Sequence, residues 1–328
     1  MTIHAVFGPT ASGKTKVALS LAERFVSPLL SIDSRKVYSG MDIGTNKLEL
    51  LTATKERGLT LLGVDIATPS ETMSVYQFRE KVATQIEELG YIPEAIVLFG
   101  GTGLYLDSLL FGLPLGASAN AEIRADAETM SVEQLQQHIL AMNPISLAKM
   151  NESDRQNPRR LQRLLEKLTA KDTEMHTVPD VIRSIFQDAT VYFYLPKVDR
   201  TALDEKITKR VMRYSDEGWL SEVKELLSGF SSDSPGLSIM GYADIVRYVN
   251  LPIEEQTESL LKVILEKVAM IHRQYAKRQT TWAKRYLRDL NSLYKDAAYV
   301  PQKTQKLYYQ LGGDIMSVED EFSHSQWD

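Results

Sequence analysis

The run Gly8-Pro9-Thr10-Ala11-Ser12-Gly13-Lys14-Thr15 confines the start of this chain to a strand, a tight loop and a helix, because it completes the pattern G-x-x-x-x-G-K-[ST]. In such a loop successive backbone N–H groups converge on phosphate oxygens, Lys14 adds a point charge, and the Thr15 hydroxyl can hold Mg²⁺ at the helix N-terminus. The flanks agree. Ile3 to Phe7 reads as a short buried strand, and Val17, Leu19, Leu21 and Ala22 recur with helical spacing. Gly8 to Thr15 are thus expected to cradle a diphosphate, with its owner left open.

Composition excludes several chemistries. The 328 residues carry a net charge of −5, so any nucleic-acid surface must be local. Cysteine is absent, which rules out disulfides, thiolate catalysis and Cys-based metal sites. The five histidines show no metal-binding spacing. The phosphate loop lies too early for a signal peptide ahead of it, and no apolar run has the length of a bilayer span. A soluble, cytoplasmic protein is expected, with no membrane association.

Leu29 to Ile32 forms a second apolar run that ends in Asp33-Ser34-Arg35-Lys36, and Ala95 to Phe99 forms a third that enters Gly100-Gly101-Thr102-Gly103-Leu104-Tyr105. Strands separated by helical stretches imply a doubly wound parallel sheet of the P-loop α/β class, whose ligands sit beyond the carboxyl ends of the strands. Asp33 and Thr102 are then placed at the mouth of the site, and the glycines after Phe99 are expected to let backbone approach a ligand. The third strand ends in glycine where phosphate-hydrolysing relatives of this loop carry a metal-binding Asp. That argues against a phosphotransferase and leaves room for a reaction in which diphosphate is the leaving group.

The core is expected over 1–115, a helical insert over 116–188, a return to the core with basic C-terminal helices over 189–312, and an acidic, poorly ordered tail over 313–328. Within the insert, Arg159, Arg160 and Arg163 share a helix with Glu166 and admit two readings, a solvated face or an RNA grip. From Lys262 to Lys306 only Glu266, Asp289 and Asp296 interrupt a concentration of lysines and arginines. Arg273, Lys277, Lys284 and Arg288 fall on one helix face, opposite Ile264, Ile271, Tyr275, Trp282 and Tyr286. On an acidic protein this stripe suits RNA or DNA phosphates.

Taken in order, the phosphate loop, Asp33 to Thr45, Gly100 to Tyr105, Arg159 to Glu166, Gly241-Tyr242 and Arg273 to Trp282 resemble the tRNA dimethylallyltransferases, from Gly8 to about Arg285. The resemblance implies transfer of a dimethylallyl group from dimethylallyl diphosphate to N6 of the adenosine 3′-adjacent to the anticodon. It implies Asp33 as the base that takes the amine proton, Thr102 as the group that fixes the amine, and Mg²⁺ on Thr15. The adenosine must be flipped from its loop to reach the diphosphate. The implied tRNA contacts are Asp33, Ser34, Arg35, Lys36, Thr102, Arg124, Arg159, Arg160, Leu161, Gln162 and Arg163, with Arg273, Lys277, Lys284 and Arg288 on the anticodon stem. A monomer is expected.

The chain departs from the family at Asn157, where Asp is usual, at Ala243, where a basic residue is usual, at His272, where Thr is usual, and at Leu62-Gly63, where a His pair is usual. Three other readings use the same loop. An adenine-nucleotide prenyltransferase would not need the basic helix, a small-molecule kinase would consume ATP, and a silent RNA-binding protein would not need Asp33.

Overall fold

Among the described residues, six strands with alternating or continuous apolar residues build the sheet, and helices connect them. In the computed structural model, residues 1–111, 121–169, 179–186, 189–196, 198–295 and 306–311 are described. The first unit, 1–112 with 179–328, opens with β1 (Thr2–Phe7), α1 (Lys14–Phe25), β2 (Leu29–Ser31), α2 (Leu48–Glu56), β3 (Leu61–Leu62), α3 (Val75–Glu87), β4 (Ala95–Gly100) and α4 (Gly103–Leu110). The second unit, 113–178, holds α5 (Ala121–Glu128), α6 (Val132–Met142), α7 (Pro144–Ala148), α8 (Glu152–Arg155) and α9 (Pro158–Thr169). The first then resumes with α10 (Asp180–Phe186), β5 (Thr190–Pro196), α11 (Arg200–Asp216), α12 (Trp219–Gly229), α13 (Tyr242–Val249), α14 (Glu258–Lys295) and β6 (Lys306–Leu311).

All strand pairings are parallel, in the order β3-β2-β4-β1-β5-β6. Neighbouring β2, β4 and β1 therefore deliver the Asp33 turn, the Thr102 loop and the phosphate loop side by side at the carboxyl edge. β1 alternates between two covered faces. Val6 packs with Val17, Ala18 and Leu21 of α1, while Phe7 meets Tyr286 of α14 edge-on with ring centroids 5.1 Å apart. Burying such side chains contributes roughly 1.5–3 kcal/mol each, which fixes α1 and α14 on opposite faces of the sheet.

Two strands lie outside the sequence expectation. β3 has only Leu61 and Leu62, too short for any periodicity to register. Lys306, expected within the basic helical stretch, begins β6 instead, where Val191↔Lys306 opens the register with β5. Period-two alternation of Leu307, Tyr309 and Leu311 is the local signal for that strand. The expected acidic tail, 313–328, lies outside the described residues.

In the second unit Ala127, Leu135, Ile139, Leu147, Leu161 and Leu165 form a separate core. Its helix starts are set by local chemistry. Ser131 and Gln134 make a reciprocal capping box on α6, and Asn143 and Asn151 cap α7 and α8.

Candidate functional site

The phosphate loop is shaped by backbone conformations that few sequences allow. Ala11 and Gly13 both adopt positive φ, 62° and 84°, which turns successive N–H groups toward one concavity at the start of α1. At Gly8 a Cβ would come within 2.6 Å of the Pro196 side chain, so glycine is needed for β5 to end there. The loop is also held from outside its own segment. Thr10 N donates to Gln279 Oε1 at 2.8 Å, and Arg210 donates to Thr10 Oγ1.

Loop and sheet edge enclose a cavity of about 450 Å³. Thr10, Ala11, Gly13, Lys14 and Thr15 line one side, Asp33, Arg35 and Lys36 another, and Arg210, Tyr214 and His272 a third. Lys16, Lys206, Lys209 and Arg213 add further positive charge, against Asp33 and Glu49. This excess suits a ligand with several negative charges. Burial pushes the Lys14 ammonium down to about 8, against the attraction of Asp33 and with the repulsion of Arg210 and Arg35. Lys36 is pushed down to about 7, first by burial, with Asp33 opposing and Arg210, Lys14 and Arg35 reinforcing the shift.

Asp33 faces opposite influences. Burial raises its carboxyl, but Arg35, Lys36, the Arg35 N–H and Lys14 together hold it below the ordinary aspartate range. The Arg35 N–H donates to Asp33 Oδ1 at 3.0 Å. The carboxylate is therefore ionised at neutral pH and beside the phosphate loop. Thr102 does not contact Asp33 in the hydrogen-bond network. Its hydroxyl accepts from Ser34 N at 3.1 Å and lies 3.3 Å from Ser34 Oγ, so it fixes the turn that carries the acid.

Other expected site residues are distributed differently. Lys36 Nζ donates to the carbonyls of Thr45, at 2.7 Å, and Asn46, and the residue lines the cavity wall. The Arg35 guanidinium lies 4.5 Å from the Tyr275 ring centroid. On α9, Leu161 is fully buried in the second unit's core, so its side chain cannot touch RNA, and Gln162 Nε2 is occupied by Ala127 O at 3.1 Å. Arg163 pairs with buried Glu166 at 2.6 Å, and Arg160 pairs with Asp154, while Arg159 is exposed. The side chain of Arg124 lies outside the described residues.

The basic face of α14 is narrower than expected. Lys277, Lys284 and Arg288 are exposed, whereas Arg273 is half-buried and donates to Thr208 Oγ1 of α11 at 2.8 Å. The glycines after β4 also serve a different purpose. A Cβ on Gly101 would fall 1.9 Å from Gln279 Nε2, and one on Gly103 would fall 2.2 Å from Trp282. They admit α14 to the sheet edge, while Gly100, at the end of β4, lines the cavity as expected. Gly44 and Gly241 do the same for the Trp219 ring, beside which Glu222 accepts from Tyr242 OH and from the backbone of Asp42 and Ile43.

The cations of α11 are the part of the site that motif reading missed. Lys206, Lys209, Arg210 and Arg213 recur at i, i+3, i+4 and i+7, so one helix face gathers four cations. Among the described residues no cluster of three or more His, Cys, Asp or Glu could hold a metal ion. A magnesium ion fits here only in partnership with ligand phosphates, for which the Thr15 hydroxyl supplies a hard oxygen donor. No helix among the described residues is long and apolar enough to cross a membrane.

The IPP transferase family profile matches residues 36–286, and an isopentenyl transferase profile matches residues 1–62. A tRNA dimethylallyltransferase of Heliobacterium modesticaldum is 33% identical over 290 residues, covering 85% of this chain and 86% of the relative. One of Gloeobacter violaceus is 32% identical over 281 residues, covering 85% and 88%. The crystal structure of the full-length tRNA isopentenylpyrophosphate transferase from Bacillus halodurans is 28% identical with a TM-score of 0.54, covering 94% of this chain and 89% of that one. A eukaryotic dimethylallyltransferase acting on tRNA, at 21% identity and a TM-score of 0.64, covers 86% and 69% and shares the fold. With a basic phosphate-loop cavity, a carboxylate at its edge and these likenesses across most of its length, the chain belongs to the IPP transferase family.

Proposed function

We propose that this protein transfers a dimethylallyl group from dimethylallyl diphosphate to N6 of the adenosine 3′-adjacent to the anticodon of tRNA. The observation that carries the reading is that Asp33 and the phosphate loop line one cavity. As the allylic C–O bond breaks, charge gathers on the departing diphosphate. Lys14, Arg210 and the loop N–H groups are positioned to stabilise it where it develops. Bound at Thr15 and the phosphates, Mg²⁺ would neutralise part of the same charge.

The exocyclic amine attacks the allylic carbon and becomes strongly acidic as the C–N bond forms. A carboxylate held below its ordinary range is a weak base, yet it suffices for such an acid, and it stays ionised at neutral pH. Thr102 serves this step through the Ser34 turn, by fixing where Asp33 points. Lys277, Lys284 and Arg288 on α14, and Arg159 in the second unit, are the exposed cations assigned to tRNA phosphates. The protein acts as a monomer in the cytoplasm on this reading, one anticodon arm per chain, which light scattering of the complex would test.

Incubation with unmodified tRNA, Mg²⁺ and radiolabelled dimethylallyl diphosphate tests the proposal. Label should enter tRNA at the adenosine beside the anticodon. Label only in free AMP or ADP would assign the small-molecule reaction instead.

A further inference from the structure

His272 stands out in the cavity wall. It is 2% exposed, it lines the same cavity as the phosphate loop, and neither ring nitrogen has a hydrogen-bond partner among the described residues. An imidazole carries at least one N–H donor, and in its neutral form one acceptor. Leaving both unpaired in a buried site is costly, so an apolar side chain would serve the fold better unless something occupies the cavity. Two further orphaned groups belong to the same loop-side structure, Ser12 Oγ and Arg210 Nε.

The charges around the ring decide what can fill the gap. Arg35 and Arg210 bear on it from two different elements, and Lys14 and Lys36 share its cavity. A metal ion beside His272 would meet these cations, so the ligand it awaits is an anion. A diphosphate supplies several acceptor oxygens to a donor N–H and reverses the local field. Burial, followed by Arg35 and Arg210, pushes the ligand-free imidazole down to about 2. An adjacent diphosphate opposes all three effects.

We propose that His272 binds the diphosphate directly, donating a ring N–H to a phosphate oxygen. The inference rests on the cavity being the diphosphate site, as in the proposed function. Substrate and product diphosphate share the contact, so it sets affinity for both.

Inorganic diphosphate with Mg²⁺ is the probe. Wild-type protein carrying ¹⁵N-labelled histidine has five imidazoles, and His272→Gln identifies the relevant signals. The His272 ring resonances should move on titration and saturate with the calorimetric isotherm. His272→Gln and His272→Ala, folded by circular dichroism, should bind inorganic diphosphate about tenfold or more weakly, the loss of one hydrogen bond to a charged group. Unchanged affinity in both variants overturns the proposal, and so does a wild-type spectrum in which none of the five imidazoles moves at saturation, a result that needs no variant. Absence of diphosphate binding to wild type overturns the cavity assignment itself, and His272's role with it.

Discussion

Thr102 Oγ1 accepts a hydrogen bond from the Ser34 backbone N–H at 3.1 Å, and this bond ties the loop after β4 to the turn that carries Asp33. The two loops come from neighbouring strands, so the bond converts sheet order into a fixed direction for one carboxylate. Thr102→Val keeps the shape and removes the acceptor. It should cost about 0.5–1.5 kcal/mol of stability, while a misplaced Asp33 lowers kcat by about a hundredfold. Thermal melting beside steady-state kinetics separates the effects, and equal losses from Thr102→Val and Thr102→Ser would argue against a role for this acceptor.

Gly101 lies where α14 meets the sheet edge. A Cβ there would drive Gln279 away, and Gln279 Oε1 holds the Thr10 N–H at 2.8 Å. Gly101→Ala should therefore weaken diphosphate binding several-fold although residue 101 is not itself in the phosphate loop. Calorimetry with inorganic diphosphate checks this, and Gln279→Leu should reproduce the loss.

Lys14 and Lys36 are held down to about 8 and about 7 in the ligand-free protein. Diphosphate favours their charged forms, so binding raises both values and draws protons from solvent. Each group is charged below its ligand-free value and loses its proton as pH rises through it. Affinity should accordingly fall between about pH 7 and 9. Proton uptake near pH 8, measured by calorimetry in buffers of different ionisation enthalpy, should be smaller in Lys14→Met.

On α14 the exposed and the occupied cations should behave differently. Lys277→Glu and Lys284→Glu should weaken tRNA binding and reduce its salt dependence, by about one unit of slope per lost phosphate contact, with diphosphate binding intact. Arg273→Ala removes the bond to Thr208 of α11 and should lower thermal stability as well. In the second unit Leu161→Ala should destabilise by about 2–5 kcal/mol, seen as increased proteolysis of 113–178, whereas Arg159→Glu should not.

The site was legible where chemistry is local. The phosphate loop needs its glycines and lysine in one short run, and Asp33 and Thr102 follow directly from strands that apolar runs reveal. What escaped reading depends on packing between distant segments. Arg210 reaches Thr10 from 200 residues away, and nothing in α11 by itself points to the phosphate loop. Leu161 enters the arginine-rich grip only through the family resemblance, while helical geometry turns it to the core. Gly101 and Gly103 announced close approach correctly, but only the fold shows that the approaching group is α14.

Single-turnover transfer of dimethylallyl from its diphosphate to unmodified tRNA, compared between wild type and Asp33→Asn, tests the proposed chemistry most directly. The amide keeps the size of Asp33 and removes its basicity, so transfer should fall by about 10²–10⁴-fold, the range of general base catalysis, while diphosphate and tRNA still bind. Transfer by Asp33→Asn at the wild-type rate would show that the carboxylate is not the base.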